Sequence, residues 1–242
     1  MPLDVKIIGQ VDTPEYNAGL QLKKMFQEQI PETVENGHIL ISTNITLFGQ
    51  EVKDIDIVVL GRFGKGFYRN LKFRPKDEDE FVDMMFTATH QKLPTFIRYP
   101  RGQAEGVPIK DQPKILDIGK AEVLKNFDQK PGARIALFPL GNMQSVARKT
   151  AQKLEEAGCN VAIINPRFIK PIDAGVTEFF ARSADVVVTF EDHVINSGYG
   201  SAVLETLNQA GIKTPVVRIG WPDQFIEHAS SVDYLREKHG LT

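Results

Sequence analysis

The spacing of apolar and polar residues changes near residue 72, and this change divides the chain into two parts. In the first part, residues 16–29 place apolar side chains at helical spacing, and residues 38–48 and 55–60 are apolar runs rich in β-branched residues. This pattern predicts a helix followed by two strands. Residues 61–76 then combine glycines, cations and a proline, and they are predicted to form a loop or linker.

Beyond this linker, strands and helices alternate. Asp77, with Glu80 three positions later, has the pattern of a capping box and predicts a helix of about 15 residues. Strands are predicted at 95–99, 134–140, 160–165, 185–190 and 215–220, and helices at 142–157, 173–183 and 199–210. The alternation predicts an α/β fold, in which a small partial α/β segment precedes a mostly parallel, helix-covered sheet that is independently stable over about residues 113–242.

Composition and charge exclude several classes of function. The 242 residues carry 29 Lys and Arg against 31 Asp and Glu, a net charge of −2, which gives no basic footprint for nucleic acid or an anionic membrane. No apolar run approaches the roughly 18 residues of a membrane span, and the first ten residues lack the order of a signal peptide. The single Cys159 can form neither an internal disulfide nor a thiolate metal site, so we expect a reducing, cytoplasmic setting.

Two arginines mark the end of the strand predicted at 95–99. Arg98 and Arg101 flank Tyr99 and Pro100. At the carboxyl end of a strand in an α/β domain, the planar guanidinium of Arg101 is well placed to hold a phosphate through two hydrogen bonds. An arginine in an exposed ion pair would have the same sequence, and the residues alone leave both alternatives open.

Acidic residues accompany two other strand ends. Asp173 is predicted to cap the helix that follows it. Glu191, Asp192 and His193 follow the next predicted strand, at the edge where open α/β sheets bind ligands. The triplet could perform acid–base chemistry, but we expect a solvated turn, which is the commoner role of such a sequence.

Seven motifs of the second part occur in a specific order. They are PKDEDEF, FIRYPRG, IGKAEVL, IALFPLGNM, NPRFIKPID, VVVTFEDHVINSGYGSAVLETL and RIGWPDQFIEHAS. Together they resemble the C-terminal part of the 1-deoxy-D-xylulose-5-phosphate synthases, a family of the transketolase superfamily, over residues 74–242. The resemblance implies that residues 73–112 are the end of the pyrimidine-binding domain and a linker, and that residues 113–242 have the transketolase C-terminal domain fold.

The resemblance also implies an activity and a site. The family consists of transferases that use thiamine diphosphate and Mg²⁺ to join pyruvate to glyceraldehyde 3-phosphate in isoprenoid biosynthesis, and its members are dimers. Arg101 is similar to the family residue that binds the phosphate of the aldehyde substrate. Ser197 replaces the first of two glycines that family members commonly have in this turn.

The elements that bind the cofactor in this family do not occur in the matched region. The chain contains no Gly-Asp-Gly segment for the diphosphate and Mg²⁺, and the family's catalytic glutamate lies upstream of the resemblance. We therefore expect no catalytic residue among the 242, and no thiamine diphosphate or Mg²⁺ bound by this chain alone. A second copy or a complementing synthase chain would be the partner.

Residues 1–72 resemble a different family. Their helix, strand and turn, followed by EVKDIDIVVLG, are similar to the beginning of a restriction-endonuclease-like domain of the nuclease-related kind. In such sites an Asp that leads into a strand, matched here by Asp56, binds a divalent metal, although Asp56 could equally be an ordinary acid at a strand edge. Two unrelated partial domains would then meet between about residues 66 and 76.

Three classes of function remain open from the sequence. The first is a fragment of a thiamine diphosphate transferase that is inactive without a partner chain. The second is a non-catalytic packing or dimerisation module, and the third is a metal-dependent nuclease that acts through Asp56. Small-molecule substrates fit the first class, and the charge balance makes a nucleic-acid partner the least favoured.

Overall fold

The computed structural model describes the backbone of five short N-terminal strands and most of the chain from residue 71 onward. Side chains are described in residues 71–91, 95–99, 106–226 and 231–241, except for those of residues 232 and 233. The chain divides into two compact units, Met1–Ile118 and Gly119–Thr242, called unit 1 and unit 2 below. The three segments predicted from the sequence, 1–72, 73–112 and 113–242, stay a prediction.

Unit 1 contains a mixed sheet and one described helix. Its elements are β1 (Asp4–Ile8), β2 (His38–Ser42), β3 (Ile45–Leu47), β4 (Gln50–Val52), β5 (Ile57–Leu60), β6 (Leu71–Phe73), α1 (Glu78–Thr89) and β7 (Thr95–Arg98). The strand order within unit 1 is β1-β2-β5-β7-β6, in which β1/β2 and β6/β7 are parallel and the other two pairs are antiparallel. Strands β3 and β4 form a separate antiparallel pair.

Helix α1 begins at the predicted capping box. Asp77 is the N-cap, and its Oδ1 accepts a hydrogen bond from the Glu80 backbone N–H at 2.8 Å. Glu80 Oε2 in turn accepts from the backbone N–H of Lys76, which precedes the N-cap, at 2.9 Å, so the two carboxylates satisfy one donor of the first turn and one just before it. Met84 and Met85 are almost completely buried, which fixes the helix against the core of unit 1.

Unit 2 is a helix-covered, mostly parallel sheet. Its elements are β8 (Glu122–Lys125), β9 (Arg134–Pro139), α2 (Gln144–Glu156), β10 (Asn160–Asn165), β11 (Phe168–Lys170), α3 (Ala174–Ser183), β12 (Val186–Val194), α4 (Tyr199–Gln209), β13 (Val216–Trp221) and α5 (Val232–Lys238). The strand order is β13-β12-β9-β10-β8, in which every pair is parallel except β10/β8. The α/β prediction with a mostly parallel sheet is confirmed.

Helices bury both faces of this sheet. On one face, Phe180 and Ala181 of α3 and Val203 and Leu207 of α4 pack against alternate residues of the central strands. On the other face, Ala147 and Ala151 of α2 pack against the intervening residues of the same strands. Because successive strand residues point to opposite faces, the apolar strands β9 and β10 require cover on both sides, and α2 provides it on one face and α3 and α4 on the other.

The structure corrects the sequence-based assignment in several places. Residues 71–73 form strand β6 inside the stretch predicted to be a loop, because they alternate buried, exposed and buried and pair with β7. Strands β1, β4, β8 and β11 and helix α5 were not predicted, and the strand predicted at 38–48 is divided into β2 and β3. Strand β8 adds an antiparallel neighbour to the five-stranded sheet of unit 2. The helix predicted at 16–29 lies outside the described residues.

Candidate functional site

The carboxyl edge of the unit 2 sheet contains the point at which strand order reverses. Strand β9 is flanked by β10, which follows it in the chain, and by β12, which comes later and lies on the other side. Ligands of open α/β sheets bind at such a reversal, outside the carboxyl ends of the strands. The backbone N–H of Leu140, after β9, donates to the carbonyl of Phe190 in β12 at 2.8 Å, so the polar residues that follow both strands are brought together here.

Glu191 lies at this edge and is 1 % exposed. Its Oε2 accepts from the backbone N–H of Tyr199 at 2.7 Å, and its Oε1 accepts from that of Gly200 at 3.1 Å. These donors belong to the first turn of α4, where a carboxylate is favoured by the helix dipole and by the free N–H groups. Burial raises the pKa of Glu191, although the two hydrogen bonds oppose the rise. Glu191 therefore acts as the cap of α4, supplied from a neighbouring strand.

The glycines of the SGYGS turn make room for this carboxylate. Gly198 is the N-cap residue of α4 and provides no side-chain hydrogen bond. A Cβ at Gly198 would overlap Glu191 Oε2, and a Cβ at Gly200 would lie 2.6 Å from Thr189 Oγ1. Both glycines are thus required for the close approach of α4 to β12.

Asp192 points to the other side of strand β12 and binds three donors. They are Asn142 Nδ2, at 2.7 Å from Oδ2, Trp221 Nε1, at 2.7 Å from Oδ1, and Arg236 Nη2, at 3.0 Å from Oδ2. The donors come from the turn after β9, from the end of β13 and from α5. The side chains of Asp192 and Arg236 are only 19% and 15% exposed, so this ion pair is largely shielded from water. Asp192 fixes three separate elements to the end of β12.

His193 is exposed, and its Nδ1 lies 2.9 Å from the carbonyl oxygen of Val194. Since a carbonyl only accepts, Nδ1 carries the hydrogen in this contact. The expectation of a solvated turn at residues 191–193 was wrong, because all three residues lie within strand β12, where Glu191 is buried and only His193 is exposed. The three neighbouring side chains make separate contacts, and both carboxylates support the fold around them.

A second buried polar cluster follows β10. Arg167 has φ +59, and its Nη2 lies 3.1 Å from Glu122 Oε1. Asn165 Nδ2 donates to Glu122 Oε2 at 3.3 Å. Asp173, close by in sequence, caps α3 as predicted, because its Oδ1 accepts from the Val176 N–H at 3.1 Å. The connector from β10 to α3 is therefore held by side chains at both ends.

Ser197 has φ +59, in the left-handed region that disfavours residues with a Cβ. We predict that Ser197→Gly raises the free energy of unfolding of unit 2 by about 0.5–1 kcal/mol, because relief of a strain of about 1–2 kcal/mol exceeds the added entropy of the unfolded chain. Thermal unfolding followed by Trp221, the single tryptophan, measures the change.

Gly211 offers the opposite substitution as a control. It has φ +65, and a Cβ there would meet no atom within 4 Å, so only backbone strain acts. Gly211→Ser is expected to lower stability by a similar amount. A Ser197→Gly protein that melts at or below the temperature of the unsubstituted protein would show that position 197 carries no strain.

The residues selected from the sequence as binding residues are not described by the structure. Arg101 and Asp56 both lie outside the described residues. Their roles in phosphate and metal binding stay predictions. Asn142, Trp221 and Arg236 were not predicted to be partners of Asp192. They lie just after β9, at the end of β13 and in α5, so their proximity to Asp192 can be inferred only once the strand order is known.

Among the described residues, no cluster of side chains is a candidate site for Mg²⁺. Such a site needs hard oxygen ligands around the metal. Within residues 71–91, 95–99, 106–226 and 231–241, no three His, Cys, Asp or Glu side chains converge on a possible metal position. The two carboxylates of the edge, Glu191 and Asp192, already bind donors of the protein itself.

In the described part of the chain, no helix is both long and apolar enough to cross a membrane.

The fold and this edge define the class of unit 2. It is a three-layer α/β domain with an antiparallel strand at one side and a strand-borne glutamate that caps a helix. The sequence model of the family described as "Transketolase, C-terminal domain" matches residues 120–242, just over half of the chain. The chain belongs to this family, and the predicted transketolase C-terminal fold type is confirmed.

Curated relatives agree with this assignment. The chain is 54% identical over 168 residues to the 1-deoxy-D-xylulose-5-phosphate synthase of Methylacidiphilum infernorum, and 47% identical over 168 residues to that of Acidobacterium capsulatum. Each match covers 69% of this chain and 26% of the relative, so the matched part spans about a quarter of the relatives' length. A solved structure described as "Split gene transketolase, inactive beta4 tetramer" is similar with a TM-score of 0.57 and 27% identity, over 72% of this chain and 53% of that one.

Proposed function

We propose that this chain is the C-terminal portion of a thiamine diphosphate-dependent transferase of the 1-deoxy-D-xylulose-5-phosphate synthase type. The observation that carries the proposal is the 54% identity over 168 residues to a synthase of this name. The substrates would be pyruvate and glyceraldehyde 3-phosphate, the product would enter isoprenoid biosynthesis, and the setting would be the cytoplasm. The chain's contribution would be a structural domain together with a phosphate-binding arginine.

The 242 residues by themselves would neither bind the cofactor nor catalyse the reaction. The sequence contains no Gly-Asp-Gly segment, and the buried carboxylate of Glu191 holds the first turn of α4. The similarity to an inactive tetramer of a split-gene transketolase further supports inactivity of the lone chain. When bound to a complete enzyme, thiamine diphosphate would supply the carbanion that attacks pyruvate.

A second candidate function is a packing module that joins copies of the chain or a complementing synthase chain. The printed description of the similar structure names a tetramer, which favours assembly. The two functions predict different activities when the rest of a synthase is supplied as a second chain. A packing module alone would assemble with that chain without adding activity.

We expect Arg101 to bind the phosphate of the aldehyde substrate. The test mixes this chain with the segment of the Methylacidiphilum synthase that the match leaves uncovered, and measures product formation from both substrates. Activity is expected only in the mixture. Arg101→Ala should then raise KM for glyceraldehyde 3-phosphate by about tenfold to a hundredfold, because a charge-assisted hydrogen bond contributes about 1.5–3 kcal/mol.

Arg148→Ala is the matched control, since this arginine is exposed on α2. It should leave KM for both substrates unchanged. Sedimentation of the same mixture separates the two candidate functions, because a complex without activity would support the packing module. Activity measured with this chain alone would overturn the proposal that it is inactive by itself.

A further inference from the structure

Residues 106–116 form neither helix nor strand, yet their backbone is fixed along helix α1. We call this segment the strap. Four side chains of α1 accept hydrogen bonds from its backbone N–H groups. The pairs are Gly106 with Glu78 Oε1 (2.5 Å), Lys110 with Asp79 Oδ1 (3.0 Å), Lys114 with Asp83 Oδ1 (2.8 Å) and Leu116 with Thr87 Oγ1 (2.8 Å). Asp79, Asp83 and Thr87 are four residues apart and form one stripe on the helix, so the strap follows the helix in the same direction.

The side chain of Lys110 reinforces this arrangement. Its Nζ lies 2.5 Å from Asp83 Oδ2 and 2.9 Å from Asp79 Oδ2, and the Asp83 side chain is only 3% exposed. Burial acts to lower the pKa of Lys110, but the hydrogen bonds and charges of Asp83 and Asp79 outweigh it and the pKa is raised. Burial likewise acts to raise the pKa of Asp79, but the bonds to Lys110 outweigh it and this pKa is lowered. Both groups are therefore charged at neutral pH.

Apolar burial contributes little to the docking of the strap. Leu116 is buried, but Ile109 and Ile115 are each 54% exposed. The core side chains Met84 and Met85 of α1 are at most 1% exposed. A segment held mainly by polar contacts opens at a lower free energy than a helix packed on a core.

The chain is fixed again just after the strap, within unit 2. Gly119 has φ +73, and a Cβ there would lie 2.8 Å from Pro171 Cγ. The backbone N–H of Ala121 donates to Asp173 Oδ2 at 3.0 Å. With the strap docked, only Asp117 and Ile118 lie between the two anchored segments.

We propose that the strap is a releasable segment of unit 1: residues 106–116 leave helix α1 as one cooperative unit while α1 stays folded. Release breaks the four backbone hydrogen bonds to α1 and the ion pairs of Lys110 together. This inference is independent of the proposed catalytic role.

Hydrogen exchange of the full chain, measured amide by amide near neutral pH, tests the proposal. The four bonded strap amides, Gly106, Lys110, Lys114 and Leu116, should open with one common equilibrium constant that exceeds that of the α1 amides. Thr87→Val removes the acceptor of Leu116 alone, and Lys110→Met removes the ammonium group. Each should raise the opening constant of all four amides by about tenfold, because opening of a cooperative unit senses the loss of any one bond.

Thr150→Val is the matched control. Thr150 and Thr87 each donate to the carbonyl four residues earlier in their helix, but Thr150 lies on α2 in unit 2. This variant should leave strap exchange unchanged. Three results would overturn the proposal. Amide exchange could accelerate only at Leu116 in Thr87→Val, it could accelerate equally in the strap and in α1 in both variants, or it could accelerate in neither variant.

Discussion

Glu191→Ala lowers the free energy of unfolding of unit 2 by about 3 kcal/mol or more on our account. The substitution leaves the N–H groups of Tyr199 and Gly200 buried without their acceptor, and each such loss costs about 1–3 kcal/mol. Removal of the side chain also leaves a space beneath α4 that costs further stability. Denaturant unfolding followed by Trp221 fluorescence measures the loss.

Glu205→Ala is the control for this prediction, because Glu205 is exposed on the same helix. It should change stability by less than about 0.5 kcal/mol. Equal effects of the two substitutions would mean that Glu191 does not cap α4.

The pH dependence of Glu191 provides a separate readout of the same prediction. Because burial raises the pKa of the folded state, the folded chain binds this proton more tightly than the unfolded chain does. Stability from this group is therefore greatest below the unfolded pKa, falls as pH rises to the folded pKa, and is constant above it. In Glu191→Gln this part of the pH dependence should disappear.

Asp192→Asn is expected to cost about 3 kcal/mol and to loosen the C-terminal helix α5. The amide removes the negative charge that Arg236 binds, and breaking a shielded ion pair costs about 3–5 kcal/mol. The amide oxygen can still accept from Trp221 Nε1, and Trp221 reports on the loosening of α5 through its ring contact with His239, the C-cap of α5, at 5.7 Å between ring centroids. A red-shifted Trp221 emission in the folded protein, together with faster amide exchange in α5, measures the effect.

Asp223→Asn serves as the comparison for Asp192→Asn. Asp223 is exposed and accepts a hydrogen bond from Asn196 Nδ2 at 3.1 Å, so its loss should cost less than about 0.5 kcal/mol. If Asp192→Asn left emission and α5 exchange as they are in the Asp223 variant, Asp192 would not fix α5.

The sequence alone was sufficient to predict the elements that are specified by residues close together in the chain. The capping box at Asp77 and the cap at Asp173 depend on residues within one helical turn, and both are confirmed. Strand β10 is buried along its whole length and occupies the predicted residues 160–165. The resemblance to the transketolase superfamily rests on ordered motifs and is likewise confirmed.

Elements defined by their partners were not predictable in this way. Strand β8 has only four residues and is specified by its antiparallel pairing with β10, and β6 has three residues and is specified by pairing with β7. Periodicity over so few positions does not separate a strand from a loop.

The roles of Glu191 and Asp192 also depend on distant parts of the chain. Burial of Glu191 requires α4 to return over β12, and the donors to Asp192 come from the turn after β9, from β13 and from α5. A sequence triplet of two acids and a histidine is compatible with catalysis and with capping. Because neighbouring residues of a strand point to opposite faces, Glu191 and Asp192 contact different parts of the fold.

Calorimetric titration of thiamine diphosphate with Mg²⁺ into this chain alone tests whether the chain by itself contains a cofactor site. We expect no saturable heat of binding, because the carboxylates of Glu191 and Asp192 are engaged in the fold and the sequence contains no Gly-Asp-Gly segment. Saturable one-to-one binding of the cofactor by the unaccompanied chain would contradict it.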